Sequence, residues 1–260
     1  VIEAEESGRL LLQERPIDAV ICAGMPPEPN PVPLAMKSGV ERLADPVPIL
    51  DSLPTAVGVL YIDFDGEVVT GSSWNGGQTI NALPAVMAGQ PMTAAQMTAV
   101  WAAVAEDFAP FDVTVTTSRA RFNAAPQNRR MSCIQTPTKD AALTAGGVAF
   151  LNSFSASNNN PCWSFNSNNV RVMAMTISHE LGHTVGLSHD GRIEPNLETY
   201  YGGHGTGVTR WGPLMGAPFG AAVTQWSKGE YYLADRTAQD DLDVITRTQN
   251  FGYRADTAND

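Results

Sequence analysis

The chain has 260 residues, 43% of them hydrophobic and 17% charged, which suits one large or two small soluble domains and excludes a long disordered or coiled-coil chain. Its net charge of −11 argues against a nucleic-acid partner, because phosphate neutralisation needs clustered Lys and Arg. No apolar run reaches the ~18 residues that a membrane-spanning helix needs.

The first 56 residues hold nine of the 18 prolines, with Pro26, Pro27, Pro29, Pro31 and Pro33 in one short stretch. Proline fixes φ and removes a backbone donor, so this stretch reads as extended, polyproline-like chain. Residues 1–54 are expected to form an appended arm. The body follows at 55–260, with subdomains 55–186 and 187–260. The sequence starts at Val1 and contains only three lysines. With a removed signal peptide assumed, it is expected to be secreted.

From residue 55 strands and helices alternate. Residues 56–64 form a buried apolar run ended by Asp65-Gly66, which predicts a strand. Thr93 caps a helix whose apolar positions Met97, Trp101, Val104 and Phe108 recur at helical spacing, and Pro110 stops it. Strict alternation predicts a strand over 111–117, and further strands fall at 131–135, 147–150 and 162–165. Residues 170–185 carry a helical pattern, and a final helix is expected near 235–248. The fold class is therefore α+β: a mixed sheet with helices packed on it, then a loop-rich tail.

Three of the four histidines lie within residues 179–189. His179 and His183 are four apart, so a helix projects both from one face, one turn apart. Two such imidazoles can each offer a ring nitrogen to one Zn²⁺ at ~2.0–2.1 Å. Glu180 follows the first histidine, where it can act on a water without binding the metal. Gly186 lets the backbone leave the helix, so that His189 can return as the third ligand and leave a fourth position open.

This pattern, His-Glu-x-x-His-x-x-Gly-x-x-His-Asp, resembles the metzincin zinc metallopeptidases, and its His189-Asp190 ending is similar to the reprolysin and serralysin variants. The resemblance implies a five-stranded mixed sheet with two long helices above a smaller C-terminal subdomain. It implies one catalytic zinc on His179, His183 and His189, with Glu180 as general base and acid in peptide hydrolysis. It also implies a methionine turn under the metal, for which Met215 in Gly212-Pro213-Leu214-Met215-Gly216 fits. A peptide substrate would then add as a strand along Gly147, Val148, Ala149 and Phe150. The tyrosine that astacins and serralysins place two residues after this methionine is replaced by Ala217. The serralysin calcium repeats are also absent. A zinc hydrolase of another amide, or a non-catalytic zinc-stabilised binding module, is the alternative, and the intact Glu180 argues against the latter.

The remaining features are weaker. Cys133 and Cys162 fall on expected neighbouring strands, so a disulfide between them is expected. Cys22 is then left over on the Pro-rich arm. Some metzincin zymogens are silenced by a pro-segment cysteine on the zinc, and Cys22 is the candidate, with a disulfide or simple burial as alternatives. Residues 1–54 read accordingly as the protein's own inhibitory pro-segment. His204 reads as a loop residue. Asp63 and Asp65 at a strand end leave calcium open, a solvated turn being the simpler reading.

Overall fold

A computed structural model describes residues 43–156, 160–193, 196–248 and 251–255, together with the backbone of three short strands at Ile2–Ala4, Leu10–Leu12 and Ala19–Val20. The body contains strand β1 (Gly58–Asp63), helix α1 (Ala94–Asp107), strand β2 (Val113–Thr116) and helix α2 (Arg119–Ala124). Strands β3 (Arg130–Gln135), β4 (Gly147–Phe150) and β5 (Cys162–Ser164) precede helix α3 (Val170–Thr184). The tail holds β6 (Trp211–Pro213), β7 (Val223–Gln225) and α4 (Asp241–Thr248).

The order across the six-stranded sheet is Ala19–Val20, β4, β5, β3, β1, β2, so β4, expected as the exposed edge, is flanked by the chain's own N-terminal strand. β3 runs parallel to both β1 and β5, and β1 runs parallel to β2. Among β1–β5 only β4 is antiparallel to its neighbour. This is the expected mixed α/β sheet. Parallel central strands need cover on both faces, and β1 is accordingly buried at every position. Leu60, Ile62 and Phe64 pack in the core cluster with Met97, Val100 and Val104 of α1 and Met173, Ile177 and Leu181 of α3. Val59 and Tyr61 face the other way, onto Phe122 of α2.

The helix ends follow local chemistry. Thr93 and Gln96 form a reciprocal capping box at α1, and the Asn169 side chain accepts from the Val172 N–H at α3. The final helix starts at Asp241, six residues after the expected 235, because Asp240 is the capping residue: its side chain accepts from the Asp243 N–H and its carbonyl from the Val244 N–H. Among the described residues no helix is long and apolar enough to cross a membrane.

Two further expectations meet the structure differently. Residues 43–54 are knitted into the body. Leu50 and Thr117 exchange backbone and side-chain hydrogen bonds, Ser52 Oγ accepts from the Val115 N–H, and Leu43 and Val47 pack against the core. The boundary expected at 54 thus falls inside a segment that flanks β2. Extended, proline-containing chain can still lend carbonyls and alternate donors to a sheet edge, and composition hides this. Cys133 and Cys162 are register partners on β3 and β5, yet both stand as free, buried thiols rather than the expected disulfide. Burial, the hydrogen bond that the Cys162 thiol donates to Cys133 and the neighbouring charges push the Cys162 thiol up, which disfavours the thiolate that oxidation requires.

Candidate active site

α3 is buried along almost its whole length and carries His179 and His183 on one face. Gly186 takes a φ of +111°, and its N–H donates to the His183 carbonyl at 3.0 Å while Leu187 N–H donates to Gly182 at 3.1 Å. The chain turns there, and His189 comes back to the other two. The His183 Nε2 lies 3.1 Å from His179 Nε2 and 3.0 Å from His189 Nε2. Among the described residues this is the group that brings three metal-ligating side chains within 4.8 Å of one another.

The fit to zinc rests on the donor chemistry. The Leu214 carbonyl accepts from His179 Nδ1–H at 2.8 Å, and the Leu187 carbonyl accepts from His183 Nδ1–H at 2.7 Å. Those bonds fix the tautomer and leave each Nε2 lone pair facing inward. Tetrahedral ligands at ~2.0–2.1 Å from one zinc stand about 3.3 Å apart, close to the spacings here. Burial lowers His183 to about 4. Burial and the His183 charge lower His189 to about 3, and His179 is also lowered well below its ordinary value. Three neutral imidazoles at neutral pH are what a divalent ion needs.

Glu180 and Met215 are both fully buried. The Glu180 carboxylate lies against Gly147 of β4 so closely that a side chain at 147 would overlap it. Met215 packs its sulfur 2.6 Å from where a Cβ on Gly182 would stand, between the two helical histidines. Its carbonyl accepts from the Asp190 N–H at 2.9 Å, and Gly216 N–H closes a turn onto the Pro213 carbonyl at 3.0 Å. The methionine turn is therefore bonded to the segments of the first and third histidines.

His204 pairs with Trp211 in a backbone bridge and meets the Tyr201 hydroxyl at 3.0 Å, apart from the triad. Asp63 is fully buried rather than in the solvated turn expected, engaged by the half-exposed Arg119 at 2.6 Å and by the Gly66 N–H at 2.9 Å. Cys22 lies outside the described residues. One site residue escapes sequence reading altogether. Tyr200 stands with its ring centroid 4.3 Å from that of His189 and 6.4 Å from that of His179. It sits in an irregular loop, and no spacing links it to the histidines.

A helix-borne pair of imidazoles, a third returned by a glycine turn and a methionine packed against the helix make a zinc-metalloprotease site that is similar to the metzincin type. The comparison with protein families narrows the likeness: the model for metallo-peptidase family M12B, reprolysin-like, matches residues 109–190, from the end of α1 to the residue after His189. No curated relative matches the chain.

Proposed function

We propose that the protein is a zinc endopeptidase in which His179, His183 and His189 hold the metal and Glu180 moves the protons. The observation that carries this reading is the convergence of three inward Nε2 atoms beside the buried Glu180 carboxylate. A zinc ion held there supplies Lewis acidity and a nucleophile at neutral pH. Glu180 accepts a proton from the attacking water and returns it to the leaving amine nitrogen. β4 receives the substrate backbone as an added strand, and its contact with Glu180 sets the scissile bond beside that carboxylate. Met215 is the apolar floor. The enzyme works outside the cell, where reprolysin-like peptidases generally act.

Hydrolysis of denatured casein, with and without a zinc chelator and beside a Glu180→Ala control, tests the reading. Activity is expected to vanish in both arms, with zinc content retained in the variant. Hydrolysis surviving both treatments would exclude the assignment.

The reading extends to a zymogen. Ala19–Val20 pairs antiparallel with Ala149–Phe150, so the outer side of β4, which the substrate requires, is met by the chain's own N-terminal region. Cys22 follows Val20 by two residues, and Gly147 precedes Ala149 by two. Cys22 is the candidate that silences the site, because a thiolate is a strong zinc ligand. Residues 1–54 contain this inhibitory segment, removed by proteolysis. Cys22→Ala should raise the activity of the full chain several-fold. An equally silent variant counts against the thiol.

A further inference from the structure

We infer that Tyr200 is a positioning residue for the metal site: its ring holds the imidazole of His189 in the orientation that a zinc ion requires. This rests on the metal and proteolytic reading above. The three histidines are held unequally. His179 and His183 are fully buried on consecutive turns of α3, and the Nδ1–H of each donates to a main-chain carbonyl, Leu214 for the first and Leu187 for the second. His189 is half-buried on chain that belongs to no helix or strand. The torsion that turns an imidazole about its Cβ–Cγ bond is soft, so what the ring touches decides where its nitrogens point.

Three rings bound that imidazole. His183 stands 4.7 Å away, centroid to centroid, with its plane at 78°, and His179 stands 5.4 Å away at 27°. Both are ligands and are already fixed by the helix. Tyr200 is the third and the nearest, at 4.3 Å with a tilt of 46°. Its ring also lies 6.4 Å from that of His179 at 28°. Tilted and offset ring pairs at such separations attract, so Tyr200 restrains His189 without competing for a ring nitrogen.

A positioning ring must itself be fixed, and the chain around Tyr200 is. The N–H of Tyr201 donates to the carbonyl of Asp190, the residue after His189, at 2.8 Å, and the Tyr201 carbonyl accepts from the Ala217 N–H of the methionine turn at 3.0 Å. Upstream, Arg192 and Glu198 exchange both backbone hydrogen bonds at 2.8 Å and join side chains at 3.2 Å. The Glu198 Oε1 also accepts from the Gly202 N–H at 3.1 Å, and the Arg192 guanidinium lies over the Tyr201 ring at 4.9 Å. Tyr200 is thus tied on both sides to the chain that carries His189 and to the turn below the triad.

The test removes the ring, keeps it, or replaces it with plain bulk. Groups that orient a metal ligand are worth about 10- to 100-fold in metal affinity or activity, so zinc transfer to a chelator should run that much faster from Tyr200→Ala than from the parent. Tyr200→Leu, which fills the space without a flat ring, should also release zinc faster. Tyr200→Phe keeps the ring and should stay within about twofold of the parent. In cobalt-substituted protein the visible absorption, which reports ligand geometry, should change in the alanine and leucine variants and be restored in the phenylalanine one. At saturating zinc, kcat on a peptide should fall in the same order with KM nearly unchanged, because Tyr200 acts through a ligand and not on the substrate. Leu197→Ala, at a 69% exposed position of the same segment, should match the parent in every measurement. Zinc release and cobalt absorption unmoved in both the alanine and leucine variants, equal damage in the phenylalanine variant, or equal damage in Leu197→Ala overturns the inference and leaves the zinc site standing. Failure of the zinc-loaded parent to cleave any peptide overturns the proteolytic reading, while the metal measurements still decide the role of Tyr200.

Discussion

Glu180 is held by what its neighbour lacks. Gly147 has no side chain, and its space is taken by the Glu180 carboxylate. Gly147→Ala leaves the strand hydrogen bonds in place but pushes the carboxylate off the line of attack. Displacements near 1 Å cost on the order of 100-fold in rate. A fall in kcat of about 10- to 100-fold, with zinc content and melting temperature nearly unchanged, is expected from steady-state kinetics and metal analysis. The convergence of the three histidines was legible in the sequence because one helix turn and one glycine relate them. Gly147 and Tyr200 were not legible in these roles, because each meets the site from a different element and only tertiary packing brings them there.

At the scale of elements, α3 and the methionine turn form one unit. Met215 is unbranched at the point where its sulfur meets Gly182, and a leucine would direct a branched methyl into the helix backbone. Met215→Leu is expected to lose about 1 kcal/mol, read as a melting temperature lower by about 2–4 °C, with zinc retained. Loss of zinc would mean that the sulfur does more than pack. The long, periodic elements were readable: β1, α1 and α3 appear within two residues of the expected bounds. The six-residue α2 was not read, since a single buried phenylalanine gives no period. The last helix was displaced because acidic Asp235 offers the same capping chemistry as Asp240, and only the contacts of Asp240 and Asp241 decide between them.

Across the whole molecule, buried acids and buried histidines pull the pH dependence of stability in opposite directions. Burial raises Asp107 to about 7 against an ordinary 3.8, and burial also raises Asp241 to about 7. The folded chain holds these protons more tightly than the unfolded chain, so their contribution is full below about pH 4 and is lost as pH rises through about 7. In zinc-free protein the depressed histidines act in reverse, contributing above about 6.5 and losing that contribution as pH falls toward 4 and 3. Asp107→Asn isolates one term: its melting temperature should gain on that of the parent by about 10 °C between pH 4 and pH 8. A constant difference would show that Asp107 titrates normally. The acidic composition signalled none of this, because it counts carboxylates without saying which are buried.

Two thioethers near the site differ in what surrounds them. Met215 is fully enclosed against Gly182, whereas Met175, though 4% exposed, lines an open cavity. Of the two, an oxidant should therefore meet Met175 first and convert it to a polar sulfoxide in the cavity wall. Early peroxide damage should show as Met175 sulfoxide before any release of zinc. Peptide mapping of the modified methionines against residual metal would trace that order.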